Sequence, residues 1–362
     1  MKGPKFLYLL FAAAFVAALA WYLHRSERGS WQQEAVPAGA KILGDFPVND
    51  VASLTLSGPD GRVTLQRGES GWGVGERGGY PTDFEKVSAL ILKLSDLQAL
   101  QSLPVAETDY GALALRTEGN DIPREEAGTQ VELKNAAGQP LAALILGKTH
   151  MTAPPGMRPE IGGTASGRYV MPSGQGGNAY LVSETFSDLQ TAPSAWIDKN
   201  FVRPGMPRRV EVQSKDGQWT LTREAAGAQW TMEGLRKNQS LDAAKTMSVD
   251  SMLTSMAVAD LPDGPEDARL KPLEENPVTV TADTFDGVRY ILTIGRGDGD
   301  NLPVKVMAEA LQPVSDETKK AQEEKLAAAA KFQDKVVFVP RNFLAPFLFS
   351  RSEFIAGTPK KN

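Results

Sequence analysis

Apolar and polar positions change rhythm along this chain, and the first change is the sharpest. Residues 6–23 carry no charge. At about 1.5 Å rise per residue, such a helix reaches roughly 27 Å, enough to cross the hydrocarbon core of a bilayer. Tyr8, Trp21 and Tyr22 sit near its ends, where amphipathic rings favour the membrane interface. Lys2 and Lys5 precede the run, and Arg25 and Arg28 lie beyond it. Residues 1–23 therefore read as a transmembrane anchor. Ala18-Leu19-Ala20 also fits the small-x-small pattern of a signal-peptide cleavage site. Either reading places the bulk of the chain across the membrane. Residues 24–41, polar with Gly and Pro, read as a linker.

From residue 42 the pattern alternates with period two, broken by helical stretches, and much of it occurs twice. LTLSGPDGRVTLQR (54–67) and VEVQSKDGQWTLTR (210–223) align without gaps, with five of fourteen positions identical. Each predicts two strands around an Asp-Gly hairpin. A tryptophan comes after each, Trp72 or Trp230, and then a candidate helix cap, Thr82 or Ser240. Thr82 with Glu85 has capping-box spacing. Val87, Leu90, Ile91, Leu94 and Leu97 make one apolar helical face; Leu241, Ala244 and Met247 do so more loosely. Each segment closes on a Leu-Pro pair, Leu103-Pro104 or Leu261-Pro262, read as the helix stop.

The duplication predicts further strand pairs. Val131-Glu132-Leu133 matches Val278-Thr279-Val280, and 144–148 matches 292–296. Residues 168–171 match 304–307, and 179–182 match 336–339. Residues 151–167 and 173–178, rich in Gly and Pro, are expected to be loops. SDETKKAQEEKLAAAAKFQ (315–333) reads as an inserted helix capped by Ser315. Its Ala-rich face predicts a solvated excursion, with partner docking as the alternative. The expected fold class is therefore α+β: an N-terminal transmembrane helix, then two tandem related modules, 42–203 and a degenerate 204–356, each an antiparallel sheet with a covering helix.

Composition narrows the chemistry. The net charge of −5 offers no cationic surplus for phosphates, so nucleic-acid binding is not expected. With no cysteine and only His24 and His150, thiolate and multi-histidine metal sites are excluded, and no cofactor is expected.

Individual motifs read structurally. Gly73-Val74-Gly75-Glu76-Arg77-Gly78 spells G-x-G-x-x-G. A dinucleotide fingerprint must join strand directly to helix, however, and Tyr80 and Pro81 intervene. Asp298-Gly299-Asp300 lacks an oxygen donor at Leu302 and reads as a turn rather than a calcium loop. Asp83, Glu85, Glu107 and Asp109 could form carboxylate pairs, but the first two open a helix, where acids complement the dipole. Ser183 and Ser194 have no nearby histidine base. The recurring tryptophans are expected to pack helix on sheet, with sugar stacking the alternative. Tyr110 and Arg168 are the polar positions singled out for ligand binding, and no catalytic residue is assigned.

One apolar helix, a strand pair with Trp72, a helix, Tyr110-Gly111, Leu146-Gly147-Lys148, Arg168-Tyr169-Val170 and Tyr180-Leu181-Val182-Ser183 occur in that order. Over residues 42–205 this resembles domain-of-unknown-function family 4340, with a degenerate second copy beyond. The resemblance implies a bacterial inner-membrane protein, single-pass, with its bulk in the periplasm. It also implies an accessory role beside ABC transporter subunits and supplies no catalytic residues. The expected function is thus a non-catalytic, membrane-anchored extracytoplasmic scaffold. The alternative is a glycan- or lipid-binding module.

Overall fold

The computed structural model describes residues 37–69, 71–117, 122–154, 162–174, 177–311 and 316–357. The 6–23 run, most of the linker and the Ser315 cap lie outside these residues. No helix among the described residues is long and apolar enough to cross a membrane.

The described chain is α+β, with antiparallel sheets, and falls into two units. The first comprises Met1–Ser70 and Glu85–Ala192, the second Gly71–Phe84 and Pro193–Asn362. The first contains β1 (Val51–Gly58) and β2 (Gly61–Gly68). The segment Gly71–Phe84 carries β3 (Gly71–Val74) and β4 (Tyr80–Pro81). Helix α1 (Phe84–Ser95) comes next, then β5 (Gln101–Pro104), β6 (Thr129–Asn135), β7 (Pro140–Thr152), β8 (Thr164–Pro172) and β9 (Asn178–Val182). The strand order in the first unit is β2-β1-β6-β7-β8-β9-β5. Alternation explains the pairing: Leu54 faces Leu65 and Leu133, and Leu56 faces Val63 and Val131, all essentially inaccessible.

The second unit contains β10 (Pro207–Ser214), β11 (Gly217–Thr222), β12 (Thr231–Met232) and α2 (Ala243–Ser255). Then come β13 (Pro277–Thr284), β14 (Val288–Gly295), β15 (Asn301–Ala310), α3 (Asp316–Ala330) and β16 (Val336–Pro340). Its order is β12-β11-β10-β13-β14-β15-β16. The core run β11-β10-β13-β14-β15-β16 repeats β2-β1-β6-β7-β8-β9 strand for strand.

The registers refine the predicted correspondence. Leu54 pairs with Leu133 and Val210 with Ala282, so Val131 corresponds to Val280 rather than Val278. Leu146 pairs with Val170 and Ile294 with Val304, which moves the third match by two residues as well. The matches of 144–148 with 292–296 and of 179–182 with 336–339 agree with the pairing.

Several local expectations are corrected. Helix α1 starts at Phe84, and the Thr82 hydroxyl donates to the Trp72 carbonyl at 3.4 Å instead of capping. Helix α2 is capped by Asp242, not Ser240; its carboxylate accepts from Ala244 N and Lys245 N. This satisfies amides that the helix start leaves open. Neither helix runs to its Leu-Pro pair: α1 ends at Ser95 and α2 at Ser255, while Leu103-Pro104 lies in β5. Parts of 151–167 are strand, because Met151 pairs with Ala165 and Thr152 with Thr164. His150 is therefore on β7, with its ring edge-on to Tyr169.

Helix α3 is docked rather than solvated on all sides. Gln322, only 4% exposed, donates to the Gly287 and Leu311 carbonyls, and Lys325 pairs with Asp286. Beyond it Phe332 packs edge-on against Phe201 at 4.9 Å. A mostly alanine face buries little area, so this anchorage comes from specific polar bonds and one aromatic.

Candidate functional site

Tyr110 and Arg168 both lie in the first unit, and their hydrogen bonds lead to different segments. Tyr110 sits in a 3-10 turn (Glu107–Leu113) against the cluster of Leu115, Ile145, Met171 and Ala179. Its hydroxyl accepts from Gly177 N at 3.0 Å. Arg168 donates to the Gly147 carbonyl at 2.7 Å and to the carbonyls of Thr185 and Phe186 at 3.3 and 3.5 Å. Burial lowers the pKa of its guanidinium. Phe186 is buried with φ 52, a left-handed conformation rare for an aromatic residue. Arg168 thus holds the carbonyl end of a strained corner.

The tryptophans divide by environment. Trp196 and Trp219 are buried. Trp230 is half-buried; its indole donates to Asp250 of α2 at 3.2 Å, and Arg223 lies 4.3 Å above its ring. Arg223 in turn makes a two-pronged pair with Asp250 at 3.1 and 2.8 Å and donates to the Pro207 carbonyl. This is helix-to-sheet packing through a cation sandwiched between ring and carboxylate.

The glycine string forms β3 and a 3-10 turn, Gly75–Arg77. A Cβ on Gly73 would meet the Gly79 carbonyl oxygen at 2.6 Å, and Gly78 and Gly79 have positive φ. These glycines allow close backbone approach within a tight turn. From that turn Arg77 reaches Asp260 at 2.8 Å and Asp263 at 2.6 Å. Arg269 joins the same cluster, contacting Asp260, Asp263 and Asp267. Hydrogen bonds from Arg269 hold the Asp267 carboxyl well below the usual range. Tyr80, buried beside Asp198, is pushed up to about 12, chiefly by burial.

In the 297–300 turn, Arg341 donates to the Gly297 and Gly299 carbonyls and ties the turn to the residue after β16. Among the described residues no group of three or more His, Asp or Glu could hold a metal.

The second unit contains a cavity of about 320 Å³ at the turn between β10 and β11. Trp219, Val278 and Phe347 give it an apolar wall, and Arg296, Arg351 and Glu353 give it charge. The Trp219 indole donates to the Phe349 carbonyl at 3.0 Å, which fixes the wall. The hairpins themselves correspond between units, but the surroundings do not. In the first unit, a Cβ on Gly58 would meet Thr191 Cγ2 at 3.4 Å, and one on Gly61 would meet the Thr191 carbonyl at 3.8 Å. Trp219 is conspicuous in the sequence as an aromatic on a repeated hairpin. Nothing in the sequence points to Arg351, because its neighbours come from a distant segment.

Compared with known families, residues 72–275 match the sequence model of a family described as "Domain of unknown function (DUF4340)". The match begins at Trp72, spans most of the first unit and ends at Glu275, further along the chain than the resemblance over 42–205. No curated protein and no solved structure matches the chain significantly.

Proposed function

We propose, given that the chain belongs to the DUF4340 family, that it is a non-catalytic accessory protein. In this reading it is anchored by residues 6–23 and presents its two units outside the cytoplasm to protein partners. The observation that carries it is the uncharged 6–23 run placed before a polar linker and two related units. An 18-residue apolar helix with interfacial aromatics partitions into a bilayer, and the chain beyond it is then delivered to one side. Association with the membrane subunits of an ABC-type envelope transporter rests on the family resemblance. A second reading, a ligand-binding module, draws support from the cavity beside Trp219.

Cross-linking in intact cells, detergent extraction and purification of the tagged full chain test the first reading. Specific recovery of transporter membrane subunits is the expected result. Exchanging residues 1–23 for an unrelated apolar helix then tells whether the anchor or the units carry the contact. Recovery of the chain alone overturns the proposal.

A further inference from the structure

We propose that the cavity between the β10–β11 turn and the segment 347–353 binds a small carboxylate carried on an apolar body. The charges around it are unevenly committed. Asp216 is paired with Arg296. Glu353 Oε2 accepts from both Ser350 N and Ser350 Oγ, closing a capping box. Arg351 is different: its Nη2 donates to the Glu233 carbonyl at 2.9 Å, and it forms no ion pair among the described residues. A Cβ on Gly234 would lie 3.2 Å from the same nitrogen, so the guanidinium rests over the Glu233-Gly234 turn. Lys245 is also without an ion pair among the described residues; its ammonium lies 3.5 Å from the ring centroid of Phe349, another lining residue.

A guanidinium has five N–H donors in a planar fork, and a neutral carbonyl satisfies little of that capacity. A carboxylate accepts two parallel bonds from such a fork. Beside it, Trp219, Val278 and Phe347 offer an apolar wall, and the volume lies at the small end of the roughly 300–1,000 Å³ range of ligand sites. The occupant is therefore about the size of one amino acid, acidic at one end and apolar at the other. A free organic acid and the C-terminal residue of a peptide share this chemistry.

The test uses the full chain labelled with 5-fluorotryptophan, the Trp219 resonance being assigned from the spectrum of Trp219→Phe. Phenylacetate should shift that resonance saturably. Neutral phenylacetamide should bind about tenfold more weakly or worse, since a charge-assisted bond is lost. Arg351→Gln should remove the preference for the acid, Arg351→Lys should retain part of it, and Arg67→Gln, an exposed arginine elsewhere, should leave it intact. The remaining tryptophan resonances report whether each variant is folded. Tighter binding of Gly-Gly-Phe than of phenylacetate assigns the site to a chain end, and the reverse assigns it to a free acid. The absence of a saturable shift, equal affinity for acid and amide, or an unchanged preference in folded Arg351→Gln would each overturn the proposal.

Discussion

Arg223 brings a charge into the second unit with its side chain 2% exposed, answered by Asp250 and covered by Trp230. Removing the carboxylate leaves a buried guanidinium facing a carbonyl and the rings of Trp230 and Phe285. Asp250→Ala should therefore cost about 3 kcal/mol in a urea unfolding experiment. Trp230→Phe, which keeps the ring and loses one hydrogen bond, should cost about 1 kcal/mol. Asp267 makes a pH-dependent contribution. Its folded pKa lies below the ordinary carboxylate value, chiefly through Arg269. The stabilisation is fully present above the unfolded pKa of about 4 and is lost as pH falls through the folded value. The urea midpoint of Asp267→Asn should lie furthest below wild type near pH 6, and the gap should shrink steadily below about pH 4. A constant gap would mean that Asp267 acts by shape rather than by charge.

At the scale of elements, the amide of Gln322 is one of the few anchors of the inserted helix α3. Gln322→Ala leaves the Leu311 carbonyl without its donor, while the Gly287 carbonyl keeps the Leu311 N–H, and should lower stability by about 1–3 kcal/mol, read as a lower unfolding midpoint. A smaller effect would mean that Phe332 and Lys325 hold the helix without it. The strands show what the sequence makes legible. Leu54, Leu56, Val63 and Leu65 alternate cleanly, and their faces and partners emerge directly from that alternation. The two-residue displacements at Val280 and Val304 are invisible in sequence for a physical reason: sliding a strand by two keeps every side chain on its own face. Only the hydrogen-bonded register distinguishes the alternatives. The caps are ambiguous in a similar way. Ser240 and Asp242 are both good caps, and the choice depends on which amides the turn presents. The candidate site is least legible. Arg168, singled out from the sequence for binding, bonds to the carbonyls of the Phe186 corner, and the cavity joins β11 to a segment some 130 residues later, as the Trp219–Phe349 bond shows.

At the scale of the molecule, the repeat and the folded unit have different boundaries. The segment Gly71–Phe84 lies within the first sequence repeat yet belongs to the second unit. Arg77 meets Asp260 across 183 residues, Thr82 bridges Ile197, and Lys335 lies 5.8 Å from the Tyr80 ring centroid. A fragment of residues 193–357 should therefore unfold at lower urea than the second unit in the intact chain. A synthetic peptide of residues 71–84 should raise its midpoint, and the same peptide with Arg77→Ala should do so less. No response to the peptide would show that the later segment is self-sufficient. The arrangement also dictates an order of events during synthesis. Residues 71–84 emerge before most of the first unit's own strands, but Asp260 is made well after them and Lys335 only near the end. Its β3–β4 pairing is local, but the side-chain partners of Arg77 and Tyr80 follow the strands on either side of it in sequence. Under the proposed anchored topology, the second unit would close only after nearly all of the chain had crossed the membrane.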